Sequence, residues 1–85
     1  MGSALVNKYT NVQIYPNPAT DYYSIQNAKG ALLEINNFVG RELYHKIVLS
    51  DNEPIPINNL SSGIYMVNII DPETGEKISK KLAKE

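Results

Sequence analysis

With 85 residues, the chain has room for one small domain. Its net charge of −1 supplies no field for nucleic acid or an anionic membrane, and no apolar stretch approaches the roughly 18 residues of a spanning helix. Cysteine is absent, which rules out a disulfide framework and a thiolate metal site.

Met1-Gly2-Ser3 reads as a tag remnant without the charged and apolar regions of a signal peptide. Ala4 to Thr10 lacks periodicity, so residues 1–10 are taken as tag and linker before a domain over 11–85. Val12 and Ile14 alternate with polar neighbours as a half-buried first strand. Tyr15-Pro16-Asn17-Pro18 follows, and two prolines so close remove two backbone donors. This segment is expected to be a rigid turn or crossover, with Asp21 holding its exit. Tyr22 to Gln26 is a second strand with Tyr23 and Ile25 on one face. Ala31 to Asn36 is a third, with Ala31, Leu33 and Ile35 inward.

Asn37-Phe38-Val39-Gly40 is a turn in which Gly40 is the candidate for positive φ. Glu42 to Leu49 alternates again, and its more apolar set (Leu43, His45, Ile47, Leu49) is expected inward. Glu53-Pro54-Ile55-Pro56-Ile57 carries alternate prolines, which only an edge strand tolerates. Asn59-Leu60-Ser61-Ser62-Gly63 turns into Ile64 to Ile70, the most hydrophobic run and the expected central strand. Leu60, Gly63 and Tyr65 match the corner of immunoglobulin-like sandwiches, where a tyrosine packs inward and its hydroxyl bonds upstream backbone. Asp71 to Gly75 is a hairpin loop closed by a left-handed glycine. Glu76 to Ala83 is a Lys-rich edge strand with Ile78, Lys80 and Leu82 on its inner face.

About seven short strands with turn signals every 8–12 residues specify an all-β, immunoglobulin-like antiparallel sandwich. A small open barrel is the alternative. Chemistry finds little support. His45 is the only histidine, and there is no nucleophile elbow, so the chain is read as a non-enzyme. Asp21, Asp51, Asp71 and Glu73 sit in separate loops, without the spacing of a calcium loop. No metal or cofactor is expected. The glycines are spaced as turn residues and cradle no phosphate.

Four segments, YPNPATDYYSIQ, FVGREL, NNLSSGIYMVNI and KISKKLAKE, occur in this order from Asn11 to Glu85. As an ordered set they resemble the type A C-terminal sorting domain of the type IX secretion system of Bacteroidetes. Two departures are Tyr23, where an aliphatic residue is usual, and Ser61-Ser62, which lacks a proline before the glycine. The resemblance implies an address for an N-terminally fused cargo. The cargo passes through the periplasm to the cell surface or medium, and an outer-membrane translocon reads the address by protein–protein contact. A sortase-like peptidase then removes it, and many cargoes become attached to an anionic lipopolysaccharide. By matching positions, the recognition residues are Pro16, Asn17, Pro18, Gly40, Arg41, Gly63, Ile64, Tyr65, Lys80 and Lys81. No nucleic-acid partner and no direct membrane insertion are implied. The alternative function is an immunoglobulin-like carbohydrate-binding or adhesive module, which would use exposed tyrosines such as Tyr22 and Tyr44.

Overall fold

A computed structural model describes Tyr9 and residues 11–85. Its seven strands are β1 (Gln13–Tyr15), β2 (Tyr22–Gln26), β3 (Leu32–Asn37), β4 (Glu42–Ile47), β5 (Asn52–Pro56), β6 (Gly63–Ile70) and β7 (Lys77–Lys84). They form a three-stranded sheet, β1-β2-β5, and a four-stranded sheet, β4-β3-β6-β7. Every pairing between these strands is antiparallel. The two sheets make the expected sandwich rather than a barrel. Most of the segment read as tag and linker lies outside the described residues. Within that segment, Tyr9 is buried in the core and its hydroxyl donates to the Lys29 carbonyl at 3.3 Å.

The inward set follows the period of two along each strand. Tyr23 and Ile25 from one sheet meet Leu33, Ile35, Val67 and Ile69 from the other, all essentially inaccessible to solvent. Burial of each such aliphatic side chain contributes about 1.5–3 kcal/mol, which makes this layer the main source of cohesion. β6 lies between β3 and β7, so the strand expected at the centre is central. β5 pairs only with β2 and presents Pro54 and Pro56, while β7 pairs along its length only with β6. Both are edges, as their prolines and lysines require. The Gly75 turn also forms as expected, with φ at +80° and its N–H donating to the Asp71 carbonyl at 2.7 Å.

β4 corrects the sequence reading. Its inner side carries Tyr44 and Lys46, opposite the buried Ile35 and Leu33; Tyr44 is itself 37% exposed, and a register shift leaves Leu43 as an extra residue beside it, while the extension of the strand buries Val48. Leu43, Ile47 and Leu49 are exposed, and His45 lies beside Glu42 on the surface, its Nδ1 2.7 Å from Oε2. The strand also ends at Ile47, so Leu49 lies beyond it, 71% exposed. Position explains the inversion. β4 is the edge of the wider sheet, and at the seam beside β5 a tyrosine and a lysine can bury their stems while keeping polar tips satisfied. The Lys46 ammonium pairs with the Glu53 carboxylate of β5, joining the sheets, and Oε1 of Glu53 accepts the Leu49 N–H at 2.6 Å.

Tyr23 carries an energetic liability within the core. Its hydroxyl is buried without a hydrogen-bond partner among the described residues. Burial, reinforced by the neighbouring Tyr44 phenol, pushes its ionisation well above the ordinary tyrosine value of 10.0. The folded-state pKa is raised, so the contribution is present below about pH 10 and is lost as pH rises beyond it. Stability measured by urea unfolding should therefore decline above about pH 10. Tyr23→Phe should flatten that decline, and at neutral pH it should change stability by no more than about 1 kcal/mol in either direction. A loss of several kcal/mol at neutral pH would contradict the unpartnered hydroxyl.

Candidate functional site

The ten residues singled out in the sequence fall on four segments; the fold sets Gly40-Arg41 and Gly63-Ile64-Tyr65 at one end of the four-stranded sheet and Lys80-Lys81 midway along β7, with Pro16-Asn17-Pro18 beside them. β6 and β7 set the frame, with Gly63 opposite Lys84, Ile64 opposite Ala83, Tyr65 opposite Leu82 and Val67 opposite Lys80. On the other flank of β6, Tyr65 stands opposite Asn37 of β3. The Asn37 N–H donates to the Arg41 carbonyl at 3.0 Å. Arg41, Asn37, Tyr65 and Leu82 therefore share one row across the four-stranded sheet.

The Pro16-Asn17-Pro18 segment reaches this end by changing sheets. β1 pairs with β2 in the three-stranded sheet. After the proline pair, Ala19 forms a parallel bridge with Lys84 of the other sheet. The Tyr15–Pro16 and Asn17–Pro18 peptide bonds are both cis. The expected crossover is thus present, and Asn17 fastens it. Its Nδ2 donates to the Lys81 carbonyl at 2.8 Å, and its Oδ1 accepts the Ala83 N–H at 3.0 Å. Ala19 continues the ladder: its N–H donates to the Ala83 carbonyl, and its carbonyl accepts the Glu85 N–H, both at 2.8 Å. A carboxamide carries one acceptor and one donor, so it can stand in for a strand's peptide group where flanking prolines have no N–H.

At the Gly63 corner, the Tyr65 hydroxyl donates to the Ser61 carbonyl at 2.5 Å, and Tyr65 is itself buried. Leu60 packs against the core. Gly63 has φ at +154°, and no atom lies within 4 Å of where a Cβ would stand. Its requirement is backbone freedom rather than space. The β3–β4 turn is held by Asn37, whose Oδ1 accepts the N–H of Val39 at 3.1 Å and of Arg41 at 2.9 Å, while Gly40 takes φ at +89°.

Exposure divides the candidate residues. Pro16, Asn17, Pro18, Gly40, Arg41, Gly63 and Lys81 are exposed, Ile64 is 46% exposed, Lys80 is half-buried and Tyr65 is buried. A shallow polar depression between β1 and β7 is lined by Gln13, Asn17, Ser79, Lys80 and Lys81, with Val12 and Ile14 below. Among the described residues, no three His, Asp or Glu side chains converge as metal ligands. Tyr22 and Tyr44, named for glycan stacking, lie in different sheets. The described residues of this end offer shape, hydrogen bonds and positive charge.

Sequence reasoning missed Asn37 and Ala19. An Asn opening a four-residue turn that ends in Gly is a readable signal for Asn37. Ala19 carries none, because its role is a main-chain ladder with residues more than sixty positions away.

Removing the Asn17 clamp should be measurable. Asn17→Ala loses two hydrogen bonds at an exposed site and should cost about 1–2 kcal/mol in urea unfolding. Amide hydrogen exchange should accelerate first at Ala83 and Glu85. Unchanged protection at both amides would show that the clamp does not hold the strand.

Residues 13–85 match the family model described as a secretion system C-terminal sorting domain. The fold is similar to part of PorZ, a bacterial surface component of the type IX secretion system of Porphyromonas gingivalis, with a TM-score of 0.78 and 24% identity. That similarity covers 99% of this chain but only 13% of the PorZ chain. No curated protein matches.

Proposed function

The chain belongs to the family of secretion-system C-terminal sorting domains, and from that premise we propose that its clamped end is the surface the export machinery reads. The family assigns a sorting signal of the type IX system, carried by proteins bound for the cell surface or the medium, and it is not a family of enzymes. The finer reading is an address recognised in the periplasm by the outer-membrane translocon through protein–protein contact. A sortase-like peptidase then removes it from the cargo.

One observation carries this reading above all. The Asn17 contacts with Lys81 and Ala83 fasten the Pro16-Asn17-Pro18 segment to β7, whose pairing with β6, and that of β6 with β3, sets it in one sheet with the Gly63 corner and the Gly40-Arg41 turn. A receptor that must accept many cargoes needs a surface independent of cargo sequence, and a row of turns on an autonomous sandwich supplies one. Arg41 and Lys81 are the exposed charged members of that surface, suited to orienting an encounter with an acidic counterpart. Gly63 and Tyr65 belong to the corner itself, and their contribution to recognition runs through the shape they hold.

The test uses a reporter carrying a signal peptide and this chain at its C-terminus, expressed in cells with and without the type IX machinery. Export should require the machinery. The double variant Arg41→Ala/Lys81→Ala should keep its urea midpoint, because both side chains are exposed, yet lower export by about tenfold, as for loss of two interface anchors. Export in cells lacking the machinery would overturn the sorting reading. Full export of the folded double variant would overturn the assignment of these residues.

A further inference from the structure

The outer side of β7 is only half covered by the crossover. The Ala83 N–H donates to Asn17 Oδ1 and its carbonyl accepts the Ala19 N–H, so both groups of Ala83 point away from β6. Alternation along the strand turns the same groups of Ser79 and Lys81 outward. Asn17 takes the Lys81 carbonyl. The Lys81 N–H and both backbone groups of Ser79 stay open, because among the described residues no strand pairs with this side of β7.

This open stretch borders the depression between β1 and β7, which has a volume of about 460 Å³. Val12 and Ile14 of the opposite sheet lie below, Asn17 lines it where the crossover begins, and Lys80 and Lys81 bring two ammonium groups. No carboxylate lines it. Among the described residues the ion pairs are those of His45 with Glu42 and Lys46 with Glu53, so Lys77, Lys80 and Lys81 carry charges that no acidic side chain meets. Lys80 is half-buried, and an ammonium drawn partly out of water without a counter-charge favours an incoming anion.

We infer that this depression takes an extended acidic segment of a partner protein, laid along the open edge of β7 between Lys77 and Lys81. Charge complementarity sets the acidity, since the occupant meets three lysines and no carboxylate. The open N–H and C=O groups select a peptide over an acidic glycan, because only a peptide backbone returns matching donors and acceptors at strand spacing. Side chains of an added strand alternate between its two faces. The fitting segment therefore alternates carboxylates, within reach of the lysines, with small apolar residues over Val12 and Ile14. The lysines that repel a second copy of β7 admit such a strand. The inference rests on the sorting reading above, because it assigns the chemistry by which the export machinery grips this side of the domain.

Binding can be measured on the chain by fluorescence anisotropy with a labelled peptide of alternating Glu and Val. The peptide should bind saturably, more weakly as salt rises, and its analogue with Gln for Glu should bind about tenfold more weakly. Amide exchange at Ser79 and Lys81 should slow in the complex, a change that charge attraction alone would not produce. Lys80→Met/Lys81→Gln removes two charges and keeps a long stem at Lys80; it should retain the urea midpoint and weaken binding by about tenfold. If that variant does not fold, Lys77→Gln/Lys81→Gln, at two exposed positions, should give the same loss. Absence of saturable binding, or unslowed exchange at both amides, overturns the inference. Equal affinity for an alginate oligomer also overturns it, by making the occupant any polyanion. In the reporter assay, Lys80→Met should lower export by about tenfold. Normal export of that folded variant overturns the inference and leaves the sorting reading standing, whereas export of the parent chain without the machinery overturns both.

Discussion

The rest of the fold depends on how the last strand is held at its outer edge. β7 supplies Leu82 to the core and pairs with β6 from Lys77 to Lys84. A strand at a domain terminus frays unless something ties it down. The tie is the sheet-changing segment after β1, where the Asn17 carboxamide and the Ala19 peptide groups together meet Lys81, Ala83 and Glu85. Prolines on either side of Asn17 make the side-chain solution necessary, since neither can donate a backbone N–H. The first and last strands thus complete each other. Neither the end surface nor the β7 edge exists in its native form until both segments are in place.

The two sheets differ in width, and much of the surface follows from that. A three-stranded sheet cannot cover a four-stranded one, so β4 overhangs and a seam opens beside β5. The Lys46–Glu53 pair spans this seam, with Glu53 largely buried. Such a pair contributes modest net stability, because desolvation offsets much of its attraction. Its geometry matters more: it fixes where the overhang begins and consumes the one lysine that could have guarded the β4 edge.

The architecture was legible because its signals are local. Period-two alternation, glycines at the turns after β3 and β6, and prolines in β5 each act within a few residues, and all pointed to one sandwich. The tyrosine corner was equally legible, since Tyr65 bonds a carbonyl only four residues upstream. The facing of β4 was not, because hydrophobicity ranks Leu43 and Ile47 above Tyr44 and Lys46, and only the width of the opposing sheet decides which set is covered. The convergence of the candidate residues was also hidden. Pro16-Asn17-Pro18 announced a crossover, but nothing near Asn17 indicates that its amide will meet β7. Asn37 stood between these cases, with a visible turn signal whose two accepted N–H groups anchor Arg41.

On the reading proposed above, the same end serves folding and recognition, so the two are difficult to separate. Tyr65 is buried and bonded to its own corner, so any receptor meets it only through the shape of Ser61 to Gly63. Gly63 and Gly40 have open space around them but occupy backbone regions that other residues enter at a cost of about 1 kcal/mol. Against a total stability on the order of 4–13 kcal/mol for a chain of 85 residues, such a cost weakens the address without abolishing the fold. Arg41 and Lys81 are different in kind, since their exposed side chains extend from positions the backbone already fixes. A signal built this way reports two things at once. On that reading its exposed charges identify the domain, and its corner and clamp report that it is folded, because Asn17 bonds the Lys81 carbonyl and the Ala83 N–H only when both segments are in place.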